Sequence, residues 1–400
     1  MRSKYLVTLF IVFSTILAGG LLPECRRTTA DKIIPLTKSW EMPIPHQEIP
    51  AGLTSLSAAE CGVCHPQHYL EWKQSTHAIA WQDLQFQAEL RKDNIVFCIN
   101  CHTPLQNQQE FIIKGTIHGD YSRPVKEPNP HFDKKLQLES ITCASCHVRN
   151  GKVIGTKGGT AAPHATIRDV EFLSEKVCLN CHNVVDVLNP SLVCTFETGD
   201  EWEANWAKQA GKNCISCHMP TVERSIYAGL PAWTSHQHHF PASGIPKFFG
   251  LLPARLQSLE IKEISIDTSY RLGDSLHYAL SLKNSFAGHA VPTGDPERFI
   301  NVQLTLLDSN HKIAHQEKYR IGEEWQWHPE ATKISDNNLQ PLETRNYHLE
   351  YVFKTAGRYR LSVEISKHRM NEENARHNGI LGHYPLSISI FRQEYEFIAK

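Results

Sequence analysis

The sequence has 400 residues, with 41 Lys and Arg against 42 Asp and Glu, and a formal net charge of −1. Because it lacks a basic stripe, the chain is not expected to bind nucleic acid. A hydrophobic content of 41% is typical of globular proteins rather than polytopic membrane proteins, and the length suggests two domains, or one domain with a large appendage.

The first 22 residues carry the pattern of an export signal. Arg2 and Lys4 precede an apolar run of 18 residues that has small residues near its end. We therefore predict a cleaved signal peptide over residues 1–22 and export to the periplasm or to the extracytoplasmic face of a membrane. An uncleaved N-terminal membrane anchor is the alternative, because a run of this length could just span a bilayer. Residues 23–56 are proline-rich and are predicted as a linker.

The pattern Cys-x-x-Cys-His occurs five times. Chance placement would give roughly 0.02 copies, whereas these five pentads take up ten of the 12 cysteines. The pentad cysteines are Cys61, Cys64, Cys98, Cys101, Cys143, Cys146, Cys178, Cys181, Cys214 and Cys217. The pentad histidines are His65, His102, His147, His182 and His218.

The pentad spacing is typical of covalent haem c attachment. Residues i, i+3 and i+4 share one face of a helical turn, so both thiols can reach one porphyrin and the histidine can reach its iron. Disulfides or zinc sites are the alternative, but neither requires a histidine directly after the second cysteine. We therefore predict five covalently attached haem c groups with the pentad histidines as proximal iron ligands.

Segments around the pentads carry a family resemblance. Residues 61–78 join the first pentad to a Ser-x-His-Ala motif, residues 201–220 lead through the last pentad, and residues 236–241 contain His-x-Phe-Pro. These motifs resemble those of the multihaem family typified by cytochrome c-554, over about residues 58–245. In its haem packing this family resembles hydroxylamine oxidoreductase and the pentahaem nitrite reductases. The type example has four haem sites, so the five pentads depart from it.

Histidines outside the pentads are the expected distal iron ligands. The resemblance implies His77 from the Ser-x-His-Ala motif, His238 from the His-x-Phe-Pro loop, and His164, which follows the third pentad at the family's usual interval. His118 is added to this set, with His131 as its competitor. The sequence does not assign each distal histidine to a particular haem.

A fifth distal candidate, His289, lies in the segment Gly-His-Ala-Val-Pro-Thr-Gly at residues 288–294. This segment resembles a motif in the β-domains of some multihaem cytochromes, where it faces a haem. A strand-connecting turn shaped by its proline and glycine is the alternative. Methionine cannot supply most distal ligands, since only four occur, Met1 is the initiator and Met219 directly follows a pentad histidine. At least three haems therefore need another distal ligand or have none.

From about residue 255 the hydrophobic pattern changes to period 2, with turn signals between the alternating segments, which predicts several short strands. The predicted fold class is α+β and multidomain: a mainly helical, haem-packed domain at residues 57–250, followed by an Ig-like β-sandwich at residues 255–400. Cys194 lies outside the pentads. It is expected to be a buried free thiol, with a disulfide to Cys25 as the alternative.

Three functions fit five closely packed haems. The first is electron transfer between redox proteins outside the cytoplasm, with a membrane quinol-oxidising complex as one candidate partner. The second is an oxidoreductase in which one open haem acts on a small nitrogen or sulfur compound. The third is a subunit of a conducting cytochrome filament. The sequence has no Cys-x-x-Cys-Lys site, the mark of the catalytic haem in pentahaem nitrite reductases, and has enough histidines to close every haem. Electron transfer is therefore favoured, and no catalytic residue is assigned.

Overall fold

The computed structural model describes residues 31–93, 95–159, 162–227, 230–250, 253–264, 266–327 and 329–400. Residues 33–400 form one compact unit. The predicted signal peptide or anchor, residues 1–22, lies outside the described residues. Within the part of the chain that is described, we find no helix with the length and apolar character needed to cross a bilayer.

We call residues 57–250 the pentad region. Its helices are short, and each pentad lies in or at the end of one of them. The helices are α1 (Ala58–Cys64), α2 (Pro66–Lys73), α3 (Leu84–Asp93), α4 (Ile99–His102), α5 (Lys134–Leu138), α6 (Cys143–His147), α7 (Glu175–His182), α8 (Thr198–Glu203), α9 (Trp206–Gln209) and α10 (Cys214–His218). Single 3₁₀ turns are formed by Ser39–Glu41, His77–Ile79, Val96–Cys98 and Gln106–Gln108.

Small sheets lie between these helices. The strands are β1 (Ile33–Ile34), β2 (Phe111–Ile117), β3 (Asp120–Pro128), β4 (Val148–Arg149), β5 (Lys152–Gly155), β6 (Thr166–Arg168), β7 (Val184–Asn189), β8 (Leu192–Phe196), β9 (Thr221–Arg224) and β10 (Trp233–His236). β1 extends the hairpin of β2 and β3, and β4, β5 and β6 form a second three-stranded sheet. β7 pairs with β8, and β9 with β10. Segments between pentads thus fold largely as hairpins.

The predicted fold class, α+β with a mainly helical haem domain before an Ig-like β-sandwich, is wrong. The protein is 22% helical and 37% strand, with several sheets. The physical reason lies in the pentad, because a single helical turn already brings both cysteines and the histidine to one face. α4 has 4 residues and α6 and α10 have 5 each, so the pentads need no long helices.

We call residues 255–400 the strand-rich region. Its strands are β11 (Leu259–Glu263), β12 (Ser269–Tyr270), β13 (Ser275–Asn284), β14 (Phe299–Leu307), β15 (Ile313–Gln326), β16 (Thr332–Asp336), β17 (Thr344–Val352), β18 (Gly357–His368) and β19 (Ser387–Ala399), with one helix, α11 (Glu372–His377). One sheet has the order β11-β13-β17 and the other β12-β19-β18-β14-β15-β16. Alternate residues of β13, β14 and β18 are buried, and they contribute to one core shared by both sheets.

The two regions contact each other along a polar seam. The Tyr384 hydroxyl donates a hydrogen bond to Asp83 Oδ1 at 2.6 Å, and Gln85 Nε2 donates to Glu297 Oε2 at 3.0 Å. Leu84 packs against an apolar cluster of the strand-rich region that includes Met370. The start of α3 is therefore tied to the strand-rich region by both polar and apolar contacts.

Candidate functional site

Local capping explains why the pentads are helical. Ser57 Oγ accepts a hydrogen bond from the Ala59 amide at the start of α1, and Asn213 Oδ1 accepts one from the Ser216 amide at the start of α10. Ser174 caps α7 in the same way. These caps satisfy amides that have no partner within the helix, and they fix the start of the helices that carry the first, fourth and fifth pentads.

Four pentad histidines are held by the same kind of contact. In each, Nδ1 lies within hydrogen-bond distance of a main-chain carbonyl oxygen, which can only accept, so the proton is on Nδ1. The pairs are His65 with Ile226 O at 2.8 Å, His102 with Ala80 O at 2.8 Å, His147 with Ile154 O at 2.9 Å and His218 with Pro241 O at 2.7 Å. The unprotonated Nε2 is then available to a metal, which is the usual arrangement around metal-bound histidine.

Burial keeps the relevant imidazoles neutral. It lowers the pKa of His102 and of His289 to about 4, and that of His77 to about 3. Burial also lowers the pKa of His238 well below its ordinary range. A histidine must be neutral, with one ring nitrogen free of a proton, to bind a metal. These side chains are therefore in the required form at neutral pH.

Three pentad histidines face a second histidine ring. The ring centres are 6.3 Å apart for His77 and His182, 6.2 Å for His147 and His238, and 6.3 Å for His218 and His289. Two imidazoles that bind one metal from opposite sides, each about 2 Å from it, have ring centres about 6 Å apart. The three separations therefore fit bis-histidine axial ligation of haem iron.

The distal members of two pairs are oriented in the same way as the pentad histidines. His238 Nδ1 donates to His236 O at 2.9 Å, and His289 Nδ1 donates to Ala290 O at 2.8 Å. In both pairs, the two rings keep Nε2 for a metal. This chemistry fits haem iron better than a polar core contact, which would use both ring nitrogens as hydrogen-bonding groups.

The loop that carries His289 is anchored to the pentad region. Glu201 Oε2 accepts hydrogen bonds from the Ala290 amide at 3.2 Å and from Thr293 Oγ1 at 2.7 Å. Trp206 Nε1 donates to Ala287 O at 3.3 Å. Helices α8 and α9 thus hold the loop close to the last pentad. Sequence reasoning noticed the segment around Glu201 but gave this side chain no role, since its partners lie some 90 residues away.

The other two predicted distal ligands have different surroundings. The Nδ1 atom of His164 lies 3.1 Å from Thr166 Oγ1. Burial, and to a smaller extent the nearby His65, lowers the pKa of His164. His118 is exposed, at the turn between β2 and β3. Neither ring forms a facing pair with a pentad histidine among the described residues, so their roles as ligands stay predictions.

His102 differs from the paired pentad histidines. Its ring stacks on Phe86 of α3, with centres 3.7 Å apart and planes 10° apart. In the described ranges, no second histidine ring faces it at the separation of the three pairs. Sequence reasoning missed Phe86, because a single aromatic residue on a short helix carries no distinguishing pattern.

Cysteines of different pentads lie side by side. Side-chain hydrogen bonds join the thiols of Cys61 and Cys143, of Cys101 and Cys181, and of Cys178 and Cys214. Each of these contacts raises the pKa of one thiol of the pair, namely Cys143, Cys101 and Cys178. Haems attached to these cysteines would therefore be neighbours in three pairs: at the first and third pentads, at the second and fourth, and at the fourth and fifth.

Cys194 is a free thiol on β8, in an apolar cluster with Ile95, Phe97 and Leu188. Burial raises its pKa to about 12, so the thiol is protonated and unreactive at neutral pH. Cys25, its possible disulfide partner, lies outside the described residues.

A protein-family model and a solved structure are similar to this chain. Residues 54–228 match the family model described as outer membrane cytochrome MtrC/MtrF-like, domains II/IV. The fold is similar to the crystal structure of a penta-heme cytochrome c552 from Thermochromatium tepidum, with a TM-score of 0.60 and 16% identity over 87% of this chain and 100% of that chain. No curated protein matches the sequence.

Two other solved structures match at low TM-scores. They are a β-glucosidase from Listeria innocua (TM-score 0.19, 18% identity, 35% of this chain and 16% of that chain) and the CARDB domain of the PF1109 protein from Pyrococcus furiosus (TM-score 0.19, 14% identity, 36% and 86%). No conclusion is drawn from similarity at this level.

Proposed function

We propose that this chain is a multihaem cytochrome, that each of its five pentads holds one covalent haem c and that the protein carries electrons; the MtrC/MtrF-like family model that matches residues 54–228 supports this proposal. The observation that carries the proposal is the set of three histidine pairs with ring centres 6.2 to 6.3 Å apart. A haem held between two neutral imidazoles supplies reversible one-electron chemistry at a lower potential than a His/Met haem.

The chain's own residues provide the geometry for this function. The pentad cysteines hold each porphyrin, and the carbonyl contacts of the pentad histidines fix the ring orientation. Adjacent thiols of the first and third, second and fourth, and fourth and fifth pentads support close haem packing. Burial, and to a smaller extent the nearby Cys181, raises the pKa of Cys146 to about 11; this proximity supports a further link between the third and fourth pentads, so all five sites would be connected.

Methionine ligation finds little support. Met42 is exposed and Met370 is packed in an apolar cluster with Ala375, Ile380 and Tyr384. We therefore propose mainly bis-histidine haems, with redox proteins as partners; a membrane quinol-oxidising complex is one candidate partner. The description of the matching family model as an outer membrane cytochrome supports export. Residues 57–250 would be the haem-binding domain and residues 255–400 a separate β-domain.

Intact-mass analysis of the exported protein tests this proposal. We expect five haem additions, and low-temperature EPR of the oxidised protein should show mainly low-spin signals from bis-histidine haems. Fewer than five additions on fully matured protein would contradict the haem count. A spectrum dominated by high-spin haem would contradict the ligation.

The surroundings of His102 favour a second candidate function. The other four pentad histidines lie near a further histidine, whereas in the described residues His102 lies against Phe86. A haem at this pentad would have an iron face open to a small nitrogen or sulfur compound, and access to the distal side decides between ligand chemistry and pure electron transfer. Binding of carbon monoxide to the reduced protein tests it, since only an open or weakly ligated iron takes up this ligand.

A further inference from the structure

A buried ion pair lies beside the loop that carries His238. Arg224, the last residue of β9, donates from Nη1 to Glu71 Oε1 at 2.6 Å and from Nη2 to Glu71 Oε2 at 3.0 Å. Glu71 belongs to α2, 153 residues away in sequence. The two side chains are 8% and 14% exposed, so both charges are largely withdrawn from water.

Both members of the pair hold the backbone next to the His238 ring. Glu71 Oε2 accepts a hydrogen bond from the His238 amide at 2.8 Å. Arg224 Nη2 donates to His236 O at 2.7 Å, and this same carbonyl oxygen accepts from His238 Nδ1 at 2.9 Å. Glu71 is therefore hydrogen-bonded directly to the His238 backbone. Arg224 and the His238 imidazole are linked because both donate to the same carbonyl oxygen, that of His236.

Stability is a weak explanation for this arrangement. Desolvation of two buried charges can cancel or exceed their mutual attraction, and apolar replacements of similar volume are often equally stable. A bidentate Arg–Glu pair does fix geometry well. Its contacts converge on one three-residue segment, which points to a role for that segment rather than for the overall fold.

We propose that Glu71 and Arg224 are positioning residues for His238 and that their opposite charges set the potential of the haem held by His147 and His238. The inference rests on the proposed function, which places a haem between these two rings. In the pair, the charges balance near the iron. Loss of either charge leaves the other without its bidentate partner in a buried setting, where electrostatic effects are strong. Besides Arg224, Glu71 Oε1 has His239 Nε2 at 4.0 Å.

The sign of the effect follows from the chemistry of reduction, which adds one negative charge to the haem. With Glu71→Gln, the positive charge of Arg224 remains and favours the reduced form, so the potential rises. With Arg224→Gln, the negative charge of Glu71 remains and the potential falls. A merely structural role predicts a shift in the same direction for both variants, because both loosen the same loop.

The experiment is a spectroelectrochemical titration of the full-length holoprotein and its variants. We expect one of the five haems to move up in Glu71→Gln and down in Arg224→Gln. The double variant Glu71→Gln/Arg224→Gln, which leaves no unpaired charge, should return close to the wild-type potential. It also keeps the test open if a single variant fails to fold.

Two controls separate the possible failures. Glu343→Gln removes the carboxylate of another Arg–Glu fork, in which Arg345 donates from Nε at 3.1 Å and from Nη2 at 2.6 Å; it should shift no haem. His238→Ala should turn one low-spin haem high-spin. If His238→Ala leaves the EPR spectrum unchanged, the proposed haem ligation fails at this site. If that variant behaves as expected but the two charge variants shift together or not at all, only the present inference is overturned.

Discussion

The pentad region and the strand-rich region achieve their compactness differently. The strand-rich region has one continuous apolar core shared by its two sheets, built from alternate residues of β13, β14, β17 and β18. The pentad region has several small separate clusters, such as that of Leu105 and Leu136 and that of Ala58 and Trp72. Apolar burial is the main source of folding stability, so we expect the strand-rich region to be stable by itself and the pentad region to depend on the haems that we propose for it.

Loss of one haem attachment should produce the largest difference in stability between the two regions. In Cys143→Ala/Cys146→Ala, the third pentad loses both thioethers, and we expect four haem additions in the intact mass. Since a porphyrin would form part of the interior there, hydrogen exchange should speed up across the pentad region while β14 and β18 stay protected. Cys194→Ala, which removes a thiol outside the pentads, should keep five haems. Normal protection in the pentad region of the double variant would contradict this comparison.

Removal of a distal ligand should have the next largest effect. His289→Ala leaves His218 without its facing ring, so we expect one low-spin haem to become high-spin in EPR while the haem count stays at five. His277→Ala is the matched control in the strand-rich region, because this histidine is exposed and its Nδ1 lies 3.3 Å from Glu350 Oε1. An unchanged spectrum in His289→Ala would mean that the 288–294 loop is only a structural connection.

Carbon monoxide should distinguish the pentad of His102 from the paired sites. We expect one of the five reduced haems to bind the ligand, because a histidine faces or approaches each of the others. His289→Ala should raise the number of binding haems to two, which calibrates the signal. Uptake of no carbon monoxide by the wild-type protein would mean that a ligand closes the haem at His102, and the second candidate function would be dropped.

The sequence was sufficient for the parts of the site that depend on local spacing. The pentads, with Cys143, Cys146 and His147 as an example, need only one helical turn, and the Cys-x-x-Cys-His pattern states that requirement directly. The resemblance in the His-x-Phe-Pro loop also singled out His238, which the fold brings opposite His147. The role of each as an iron ligand stays a prediction.

Features that depend on long-range packing were out of reach of the sequence. The fork between Glu71 and Arg224 joins residues 153 positions apart, and no periodicity marks either side chain. The prediction of a mainly helical domain was wrong for a related reason. A pentad requires only one helical turn, and the segments that follow it can be strands, as β7 and β8 are. Which histidine faces which pentad, as in His77 with His182, likewise depends on the tertiary fold.

The smallest expected effect concerns the seam between the two regions, at Glu297. Its carboxylate accepts hydrogen bonds from Gln85 Nε2 at 3.0 Å and from Asn374 Nδ2 at 2.5 Å, and burial together with the nearby Asp295 raises its pKa from 4.5 to about 8. The folded protein therefore keeps a proton on Glu297 between these pH values, where the unfolded chain releases it. The stabilisation that comes from holding this proton is complete below about pH 4.5 and is lost as pH rises through about 8. Between these values the free energy of unfolding falls by at most about 1.4 kcal/mol per pH unit.

Glu297→Gln keeps a neutral amide in place of the protonated acid and should remove this pH dependence. We expect the free energy of opening of α3 and α11, measured by hydrogen exchange, to fall between pH 6 and pH 8 in the wild-type protein and to stay level in the variant. Glu350→Gln, at an exposed carboxylate of the strand-rich region, should retain the wild-type slope. An equal slope in wild-type protein and Glu297→Gln would mean that another group at the seam takes up the proton, and the two regions would then be held together independently of the charge on Glu297.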